Sequence, residues 1–414
     1  MSMNISEKIL ARHAGLKDVE PGQIVEAEID YVMVNDVTGL PAFEVFEKNF
    51  EKPMTEKIVM IPDHYVPNKD VKSAEQAKAM RDFALKHDVG NYFEVGCGGV
   101  CHQIMIEHGF AAPGRLIVGA DSHTCSYGAL GALSTGIGST EAACAMASGK
   151  LWFKVPETQK ITVEGKLPKY GMGKDVILYI IGDMGVDGAL YQAMEYYGNT
   201  IEDLPLADRI SISNMAIEAG GKAGIIPADK KVDDYMKGRV KGSYEKIFAD
   251  KDATYVKERH YDASEIVPTV AEPFLPENAR PAKDVDVEID QAYLGSCTNG
   301  RIEDMRVAAN ILKGKKVKVR TIVVPATTEV YRQAMKEGLL DVFIDAGAYV
   351  SGPTCGACLG GYMGVLAEGE VCVSSTNRNF IGRMGHPKSK VYLASPAVVA
   401  ASALTGRITD PNDL

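Results

Sequence analysis

The sequence predicts an α/β protein with a largely parallel sheet. Apolar, strand-like runs alternate along the chain with helix-like segments, and several of these runs end in a Gly-rich turn. That alternation is typical of layered α/β folds. The chain has 414 residues, too many for one small core, so we expect two or three domains or subdomains. In such folds functional residues collect at the carboxyl ends of strands and at helix N-termini.

Apolar runs in four places carry the strand prediction. RLIVGAD (115–121) leads into SHTCSYG and then into a segment rich in Ala and Gly. QAYLGS (291–296) leads into CTNG, and VKVRTIVVPA is followed by the helix-like TTEVYRQAMKEG. The run EGEVCVSST has the character of a buried strand. Each of the first three therefore predicts a strand that ends in a turn before a new segment.

The segment IEDMRVAANILKG, which follows CTNG, is predicted to be a helix. Met305, Ala308, Ala309 and Leu312 fall on one helical face. Acidic residues in the first turn and Gly314 after the last turn match the signals for a helix start and stop.

Two segments are candidate boundaries between structural units. The stronger candidate is 266–284, IVPTVAEPFLPENARPAKD, whose prolines oppose both helix and sheet interior. A softer boundary lies near 155–165, where FKVPETQKITVEG begins a new strand-like run. We therefore predict three units, spanning residues 1–160, 161–280 and 281–414.

Composition excludes several classes of protein. The net charge is −10 and the pI is about 5.4, which argues against nonspecific nucleic-acid binding. The start of the chain lacks the apolar core of a signal peptide, and no apolar run is long enough to cross a bilayer. We therefore expect a cytoplasmic protein, in which the eight cysteines serve metal binding or catalysis rather than disulfides.

Three cysteines stand out by their surroundings. GSCTNG contains Cys297, and GPTCGACLGG contains Cys355 and Cys358. Cys297 is expected between a strand and a helix, where a helix N-terminus favours the thiolate. Glycines around Cys355 and Cys358 let backbone approach an inorganic core. The spacing alone does not exclude the possibility that this C-x-x-C has no function. A thioredoxin-type redox pair is disfavoured because no clear amphipathic helix follows the cysteines.

Five further loops carry residues suited to acid–base chemistry and anion binding. These residues are Asp63 and His64 in PDHYVP, His102 in GVCHQ, Asp121, Ser122 and His123 in GADSHTCSYG, Asn214 and Glu218 in NMAIE, and Asn377, Arg378 and Arg383 in STNRNFIGR. A carboxylate beside a histidine fixes its tautomer and suits proton transfer. Two arginines in one loop suit bidentate capture of carboxylates. Together with three thiols, these loops predict a pocket with an incomplete metal cluster, proton-transfer histidines and an anion clamp.

The loops resemble, in order and nearly end to end, those of the aconitase superfamily of iron–sulfur hydro-lyases. The nearest likeness is to large subunits of 3-isopropylmalate dehydratases and to archaeal-type homoaconitases. The motifs that carry it are DHYVP, GVCHQ, GADSHT, NMAIEAGGKAGIIP, GSCTNGRIEDMR, GPTCGACLGG and STNRNFIGR. The resemblance implies three-layer α/β/α subdomains around a central cluster cleft. The first unit then carries the DH, CHQ and DSH loops, the second the NMAIE helix, and the third the cysteines and the NRNF loop.

The resemblance also implies a cofactor and a role for each motif residue. One [4Fe–4S] cluster is held by Cys297, Cys355 and Cys358, and its fourth iron stays open to substrate. A fourth cysteine would close that position. The resemblance further implies that Asn214 and Asn377 donate to the cluster or its ligands. It implies that the departing hydroxyl is protonated by His64 with Asp63, and by His102. Water would be oriented by Asp121 and by His123 paired with Glu218, and carboxylate would be bound by Ser122, Arg378 and Arg383.

One position departs from the family pattern. Relatives commonly carry Gln or His where this chain has Asn35, in VMVNDVTG, so the substrate-binding role that the resemblance gives to Asn35 is in question.

A partner and a substrate class follow from the same resemblance. Up to Leu414 the sequence has no segment that matches the mobile domain, with its Ser-Arg motif, of single-chain aconitases. The resemblance implies that a separate small swivel-domain subunit supplies it, in a heterodimer or heterotetramer. The expected substrate is a small di- or tricarboxylate: 2-isopropylmalate, isomerised to 3-isopropylmalate through an alkene in leucine biosynthesis. Citramalate and homocitrate are the alternatives, which this sequence does not separate.

Two other classes of function are disfavoured. An iron sensor whose cluster-free form binds RNA would need a basic, aromatic stripe, which the acidic chain lacks. An electron-transfer protein would need four cysteine ligands and no acid–base histidines.

Overall fold

The computed structural model describes residues 2–240 and 242–414. In that part of the chain the strands are β1 (Ile24–Glu28), β2 (Tyr31–Asn35), β3 (Ile58–Ile61), β4 (Leu116–Gly119), β5 (Leu133–Gly136), β6 (Lys150–Lys154), β7 (Thr158–Glu164), β8 (Ala193–Tyr197), β9 (Ala223–Ile225), β10 (Lys257–Asp262), β11 (Thr269–Ala271), β12 (Ala279–Pro281), β13 (Gln291–Gly295), β14 (Arg320–Val324), β15 (Tyr349–Val350), β16 (Val371–Ser374) and β17 (Lys390–Ala394).

The helices alternate with these strands. They are α1 (Ile5–His13), α2 (Gly39–Asn49), α3 (Val71–His87), α4 (Cys101–Glu107), α5 (Ser139–Ser148), α6 (Gly173–Met184), α7 (Asn199–Asp203), α8 (Leu206–Asn214), α9 (Lys230–Met236), α10 (Ile302–Leu312), α11 (Thr328–Lys336), α12 (Leu339–Ala346) and α13 (Pro396–Thr405). Short 3₁₀ helices also occur, and three of them matter for the site: Ser122–Leu130, Met215–Ala219 and Gly356–Leu359.

The first sheet has the order β3-β2-β4-β5, and all its neighbouring strands are parallel. Its strands are apolar on both faces. In β3, Ile58 and Met60 join one buried cluster, whereas Val59 and Ile61 join another. Continuous apolar strands of this kind are typical of parallel sheets covered on both sides. Beside this sheet, β1 and β6 form a separate antiparallel pair.

The second sheet is also parallel, with the order β10-β7-β8-β9. The third sheet has the order β12-β11-β17-β16-β13-β14-β15. Its strands from β17 to β15 are parallel, and β11 and β12 add an antiparallel edge. Val323 packs on one face of β14, and Ile322 and Val324 pack on the other. The prediction of an α/β fold with largely parallel sheets is therefore confirmed.

The proline-rich segment 266–284 is more than a linker. It connects the second and third sheets, and it also contributes the short strands β11 and β12. Its prolines are compatible with this because Pro281 lies on the edge strand β12, where no further strand needs its missing N–H. The prediction that these prolines oppose helix and sheet interior agrees with the edge position of Pro281.

Local sequence signals specify two helices that lie between strands of the third sheet, α10 and α11. The segment predicted as a helix from IEDMRVAANILKG forms α10, and Met305, Ala308, Ala309 and Leu312 are all buried. The run TTEVYRQAMKEG forms α11. In contrast, NMAIE is not one α-helix, because α8 ends at Asn214 and a 3₁₀ helix follows. In the described part of the chain, no helix combines the length and the apolarity needed to cross a membrane.

A buried carboxyl joins α4 to the N-cap residue of α11. Glu107, the last residue of α4, accepts hydrogen bonds from Thr327 Oγ1 (2.8 Å) and from Gln103 Nε2 (3.2 Å). Burial raises the pKa of Glu107 to about 7. A carboxyl whose pKa is raised on folding contributes stability that is complete below its unfolded pKa and is lost as pH rises through the folded value.

Glu107→Gln is expected to weaken the loss of stability between pH 5 and pH 8. The amide oxygen can still accept both hydrogen bonds, but the penalty for ionising a buried group disappears. The free energy of unfolding of the native chain should therefore fall more than that of the variant over this range, by up to about 3 kcal/mol. Urea unfolding at both pH values measures this difference. The exposed ion-paired carboxylate Glu368 supplies the control Glu368→Gln, and equal pH dependence in all three proteins would contradict the prediction.

Candidate active site

The loops singled out in the sequence surround one cavity of about 180 Å³. Larger cavities of about 440, 880 and 610 Å³ lie elsewhere, but none of them is lined by Cys297, Cys355 or Cys358. Most of the sequence-predicted site residues line the smaller cavity: His64, His102, Asp121, Ser122, His123, Cys297, Cys355, Cys358, Asn377, Arg378 and Arg383. Asp63, Asn214 and Glu218 hydrogen-bond directly to residues in this lining.

Strand ends bring these side chains together. Asp63 and His64 follow β3, and Asp121 follows β4 in the same sheet. Cys297 follows β13, and Asn377 follows the neighbouring strand β16. Because the carboxyl ends of parallel strands meet at one edge of a sheet, residues far apart in sequence converge there.

The C-x-x-C loop depends on a glycine. Gly356 has φ +59°, and a Cβ there would lie 2.2 Å from the Tyr293 hydroxyl. A larger residue would therefore push the loop away from the third sheet. Gly356 begins the 3₁₀ helix Gly356–Leu359, which follows Cys355 and contains Cys358. Both of these cysteines line the cavity.

Amide groups are directed at the Cys297 sulfur. The Nδ2 atoms of Asn214 and Asn377 donate to Cys297 Sγ at 3.3 and 3.4 Å. Thr298 Oγ1 holds both amides, because it donates to Asn214 Oδ1 (2.6 Å) and accepts from Asn377 Nδ2 (3.0 Å). This arrangement places hydrogen-bond donors where a metal-bound thiolate would carry negative charge.

The donor set fits an iron–sulfur cluster. Four buried cysteines line one cavity, namely the three predicted ligands and Cys101, and soft thiolates are the ligands of such clusters. Burial raises the pKa of Cys297 to about 12 and the pKa of Cys355 well above its usual value. Ionised thiols at these positions therefore need a bound metal centre. The expectation that a helix N-terminus favours the Cys297 thiolate was wrong, since α10 begins only at Ile302 and burial dominates.

Another set of donor atoms lies beside the thiols. Ligand atoms of Asp63, His64 and Cys355 lie within 4.8 Å of one another. These groups are already engaged, because His64 Nδ1–H donates to Asp63 Oδ1 (2.6 Å) and the Cys355 thiol donates to Asp63 Oδ2 (3.3 Å). We therefore regard Asp63 as the partner of the histidine.

Two carboxylates favour the protonated form of the His64 ring. Its Nδ1 lies 3.6 Å from Asp36 Oδ1 as well as beside Asp63. Burial disfavours the charged ring, but the charges and hydrogen bonds of the two carboxylates outweigh burial and raise the pKa of His64 well above its usual value. Since Nδ1 is engaged by carboxylates, Nε2 is the nitrogen that can exchange a proton with a ligand.

The two other histidines share Asp121. His102 Nε2 donates to Asp121 Oδ1 (2.9 Å), and the backbone N–H of His123 donates to the same oxygen (2.9 Å). His123 Nε2 donates in turn to Glu218 Oε1 (3.0 Å). Burial acts to raise the pKa of Asp121, but the hydrogen bonds and charges of both histidines hold it well below its usual range.

The arginines provide an anion clamp with spare capacity. Arg378 Nε donates to Glu218 Oε1 (2.8 Å), and this charge together with His123 lowers the pKa of Glu218 despite its burial. Among the described residues, Arg383 Nε and Glu218 Oε2 are buried without a hydrogen-bond partner. Arg383 lines the cavity, so its Nε is free to bind a polar ligand there.

Asn35 takes a supporting position rather than a place in the lining. It is fully buried, and its Oδ1 accepts from the backbone N–H groups of Val37 and Thr38 and from the Thr38 hydroxyl. Its Nδ2 donates to Asp121 Oδ2 at 3.4 Å. With these contacts Asn35 orients Asp121 and does not reach the cavity, which differs from the predicted substrate-binding role.

Several residues of the site escaped the sequence reasoning. Asp36 accepts hydrogen bonds from the backbone N–H groups of Asp63, His64 and Tyr65. Tyr127 bonds to His102 Nδ1 (3.0 Å). The fully buried Lys174 donates to the backbone carbonyls of Ser375 and Thr376, just before Asn377, and burial lowers its pKa to about 8. A lysine in the first turn of α6 opposes the helix dipole, and that local conflict is the one signal that could have identified it.

Comparison with known proteins agrees with this geometry. A model of the aconitase family (aconitate hydratase) matches residues 7–286 and 279–406. The chain is 55% identical to the 3-isopropylmalate dehydratase large subunits of Thermodesulfovibrio yellowstonii and Moorella thermoacetica, in each case over 419 residues with 100% of both chains covered. The holo-form of Thermococcus kodakaraensis aconitase X has the same fold, with a TM-score of 0.52, 12% identity, and coverage of 85% of this chain and 84% of that one. From full-length identity of this level, the family match and the common fold, we conclude that the chain belongs to the aconitase family.

Proposed function

We propose that this chain is the large subunit of a 3-isopropylmalate dehydratase. It would interconvert 2-isopropylmalate and 3-isopropylmalate by dehydration to an alkene and rehydration, a step of leucine biosynthesis. The curated relatives with that name match the chain over its whole length. The observation that carries the proposal is the convergence of four thiols, three of them the proposed ligands, with three carboxylate-bonded histidines and two arginines on one cavity.

The family implies a [4Fe–4S] cluster, and we assign its binding to Cys297, Cys355 and Cys358. The amides of Asn214 and Asn377 would support the sulfur of Cys297 through the hydrogen bonds that they already make. When bound, the cluster supplies a Lewis acid that polarises the C–O bond of the substrate hydroxyl.

His64 is the proposed general acid. Asp63 and Asp36 keep its ring protonated, and Nε2 holds the proton that the departing hydroxyl needs. Asp121 also lines the cavity, and its Oδ2 lies 3.8 Å from His64 Nε2. His102 and His123 both bond to Asp121, so these three groups would hold and orient the water that is lost and regained.

Arg378 and Arg383 are the proposed carboxylate binders, together with Ser122. Arg378 is oriented by Glu218, and Arg383 leaves its Nε free. A planar guanidinium can bind both oxygens of a carboxylate, which an ammonium cannot.

Arg383→Lys is expected to raise KM for the substrate by roughly 10-fold or more, because loss of one charge-assisted hydrogen bond costs about 1.5–3 kcal/mol. The iron content should stay unchanged, since Arg383 contacts none of the cysteines through a hydrogen bond among the described residues. Steady-state kinetics and an iron assay measure both quantities. Arg407→Lys, at an exposed arginine paired with Asp286, is the control. An unchanged KM in Arg383→Lys would contradict the carboxylate-binding role.

A small swivel-domain subunit is the proposed partner. The curated relatives are named large subunits, and such a partner would supply the base that removes the carbon-bound proton. We infer that this chain provides the cluster, the general acid and the anion clamp. A cytoplasmic location and the boundaries of the three units stay predictions.

An anaerobic assay tests the proposed function. The cluster is rebuilt with iron and sulfide, and the ultraviolet absorbance of three alkenes is followed with and without the small subunit from the same organism. The alkenes are those derived from isopropylmalate, citramalate and homocitrate. Loss of absorbance with the isopropylmalate-derived alkene, only when the partner is present, is the expected result. Preference for another alkene would change the assigned substrate, and activity without the partner would place the base on this chain.

A further inference from the structure

The loop that carries Cys297 rests on a buried arginine. Arg301 is 4% exposed and occupies the N-cap of α10. A cation is disfavoured at that end of a helix, because the dipole is positive there. A buried charge in an unfavourable position needs a local reason.

The guanidinium of Arg301 donates three hydrogen bonds, all to groups around the site. Its Nη2 donates to the backbone carbonyl of Cys297 (2.6 Å) and its Nη1 to that of Thr298 (2.7 Å). Its Nε donates to Gln103 Oε1 (2.9 Å). The planar fork therefore spans two successive carbonyls of one loop while the third nitrogen reaches another element, a geometry that lysine cannot reproduce.

Gln103 connects this loop to a proton-transfer residue. It follows His102 in the first turn of α4, and its amide nitrogen donates to Glu107. Arg301 thus joins the loop holding Cys297 to the helix holding His102, although the two segments are 198 residues apart in the chain. This connection is one of several contacts that hold α4 in place, beside the backbone bond from Val100 N–H to the Ala326 carbonyl.

The charge of Arg301 also has a consequence. Cys297, Cys355 and Cys358 become thiolates when a cluster is bound. The guanidinium of Arg301 donates to the backbone carbonyl of Cys297 itself, so its charge lies close to that thiolate. Its positive charge favours the more negative state of any group held there, and the effect is strong because the surroundings are buried.

We propose that Arg301 is a positioning residue, which fixes Cys297 relative to His102 and stabilises the reduced, more negative state of the cluster. The inference rests on the proposed function only in assuming that a cluster is bound. It assigns to the CTNGR segment a role that the cysteine alone does not explain.

Arg301→Gln in the complex with the small subunit tests the proposal. We expect the affinity of the site for iron to fall about 10–100-fold, the usual cost of removing a group that supports a metal ligand, so that a chelator removes iron faster. The midpoint potential of the cluster, followed by electron paramagnetic resonance, should become more negative, and kcat should fall while KM changes little. Arg301→Lys should restore the potential in part without restoring kcat, because it returns the charge but not the fork.

A matched control lies on the same helix. Arg306 is exposed and pairs with Glu337, so Arg306→Gln should leave iron retention, potential and kcat unchanged. Gln103→Met keeps the arginine charge but cuts its link to α4. The Gln103→Met variant should lower kcat without shifting the midpoint potential of the cluster. If Arg301→Gln does not fold, this variant still tests whether Arg301 positions Cys297 relative to His102.

The outcomes separate the inference from the proposed function. The native potential and native iron retention in Arg301→Gln, or native kcat in Gln103→Met, would overturn the inference while a working native enzyme left the function intact. Failure of the native chain to bind a cluster would instead overturn the function.

Discussion

Replacing any one of Cys297, Cys355 and Cys358 with serine is expected to prevent assembly of the [4Fe–4S] cluster and to abolish activity. A serine hydroxyl is a hard donor that stays protonated near neutral pH, so it is a poor substitute for a thiolate. Cys101 also lines the cavity, but it is not one of the three proposed ligands, and loss of any of those three leaves only two. Iron and sulfide per chain, visible absorption and electron paramagnetic resonance after anaerobic reconstitution measure the effect.

Cys372→Ser is the matched control for these three variants. Cys372 is as deeply buried as the proposed ligands, but it lies within β16, outside the cavity lining, and its thiol donates to the backbone carbonyl of Val373. This variant should load four irons and remain active. A variant of Cys297, Cys355 or Cys358 that still loads four irons would refute that residue as a ligand, and loss of the cluster in Cys372→Ser would point to a general effect on folding.

The same cysteines illustrate what could be predicted from the sequence. Their residue types and their Gly-rich surroundings are enough to indicate a metal site, and the family resemblance supplies the ligand set. Spacing could not predict that Asn214 and Asn377 both donate to Cys297. Those contacts join segments at least 80 residues apart, and only the arrangement of the sheets brings them together.

Local and long-range features therefore differ in how far they can be predicted. The helix α10 was predictable because its apolar face and both of its end signals lie within one short segment. Asp36 was missed although it lies beside Asn35, because its role consists of hydrogen bonds to backbone groups 27 to 29 residues away. The prediction of one helix at NMAIE was wrong because the pattern contains no signal for the change from α to 3₁₀ after Asn214.

His64→Gln is expected to lower kcat by roughly 10²–10⁴-fold, the usual contribution of a positioned general acid. Glutamine is neutral, and its amide has no proton to transfer at neutral pH. Iron content should stay at the native level, because His64 is not among the proposed ligands. KM should change less than kcat, since His64 acts on the departing hydroxyl while the arginines bind the carboxylates.

The appropriate control is another histidine bonded to a carboxylate. His87 Nε2 lies 2.9 Å from Glu47 Oε1 at the protein surface, so His87→Gln removes a similar pair far from the cavity and should leave kcat unchanged. A kcat within a few-fold of native in His64→Gln, with the cluster intact, would exclude His64 as the general acid. His102 would then be the candidate general acid. It is hydrogen-bonded to Asp121 and has no other carboxylate partner among the described residues. Comparing His64→Gln with His102→Gln at equal iron content therefore decides which histidine delivers the proton.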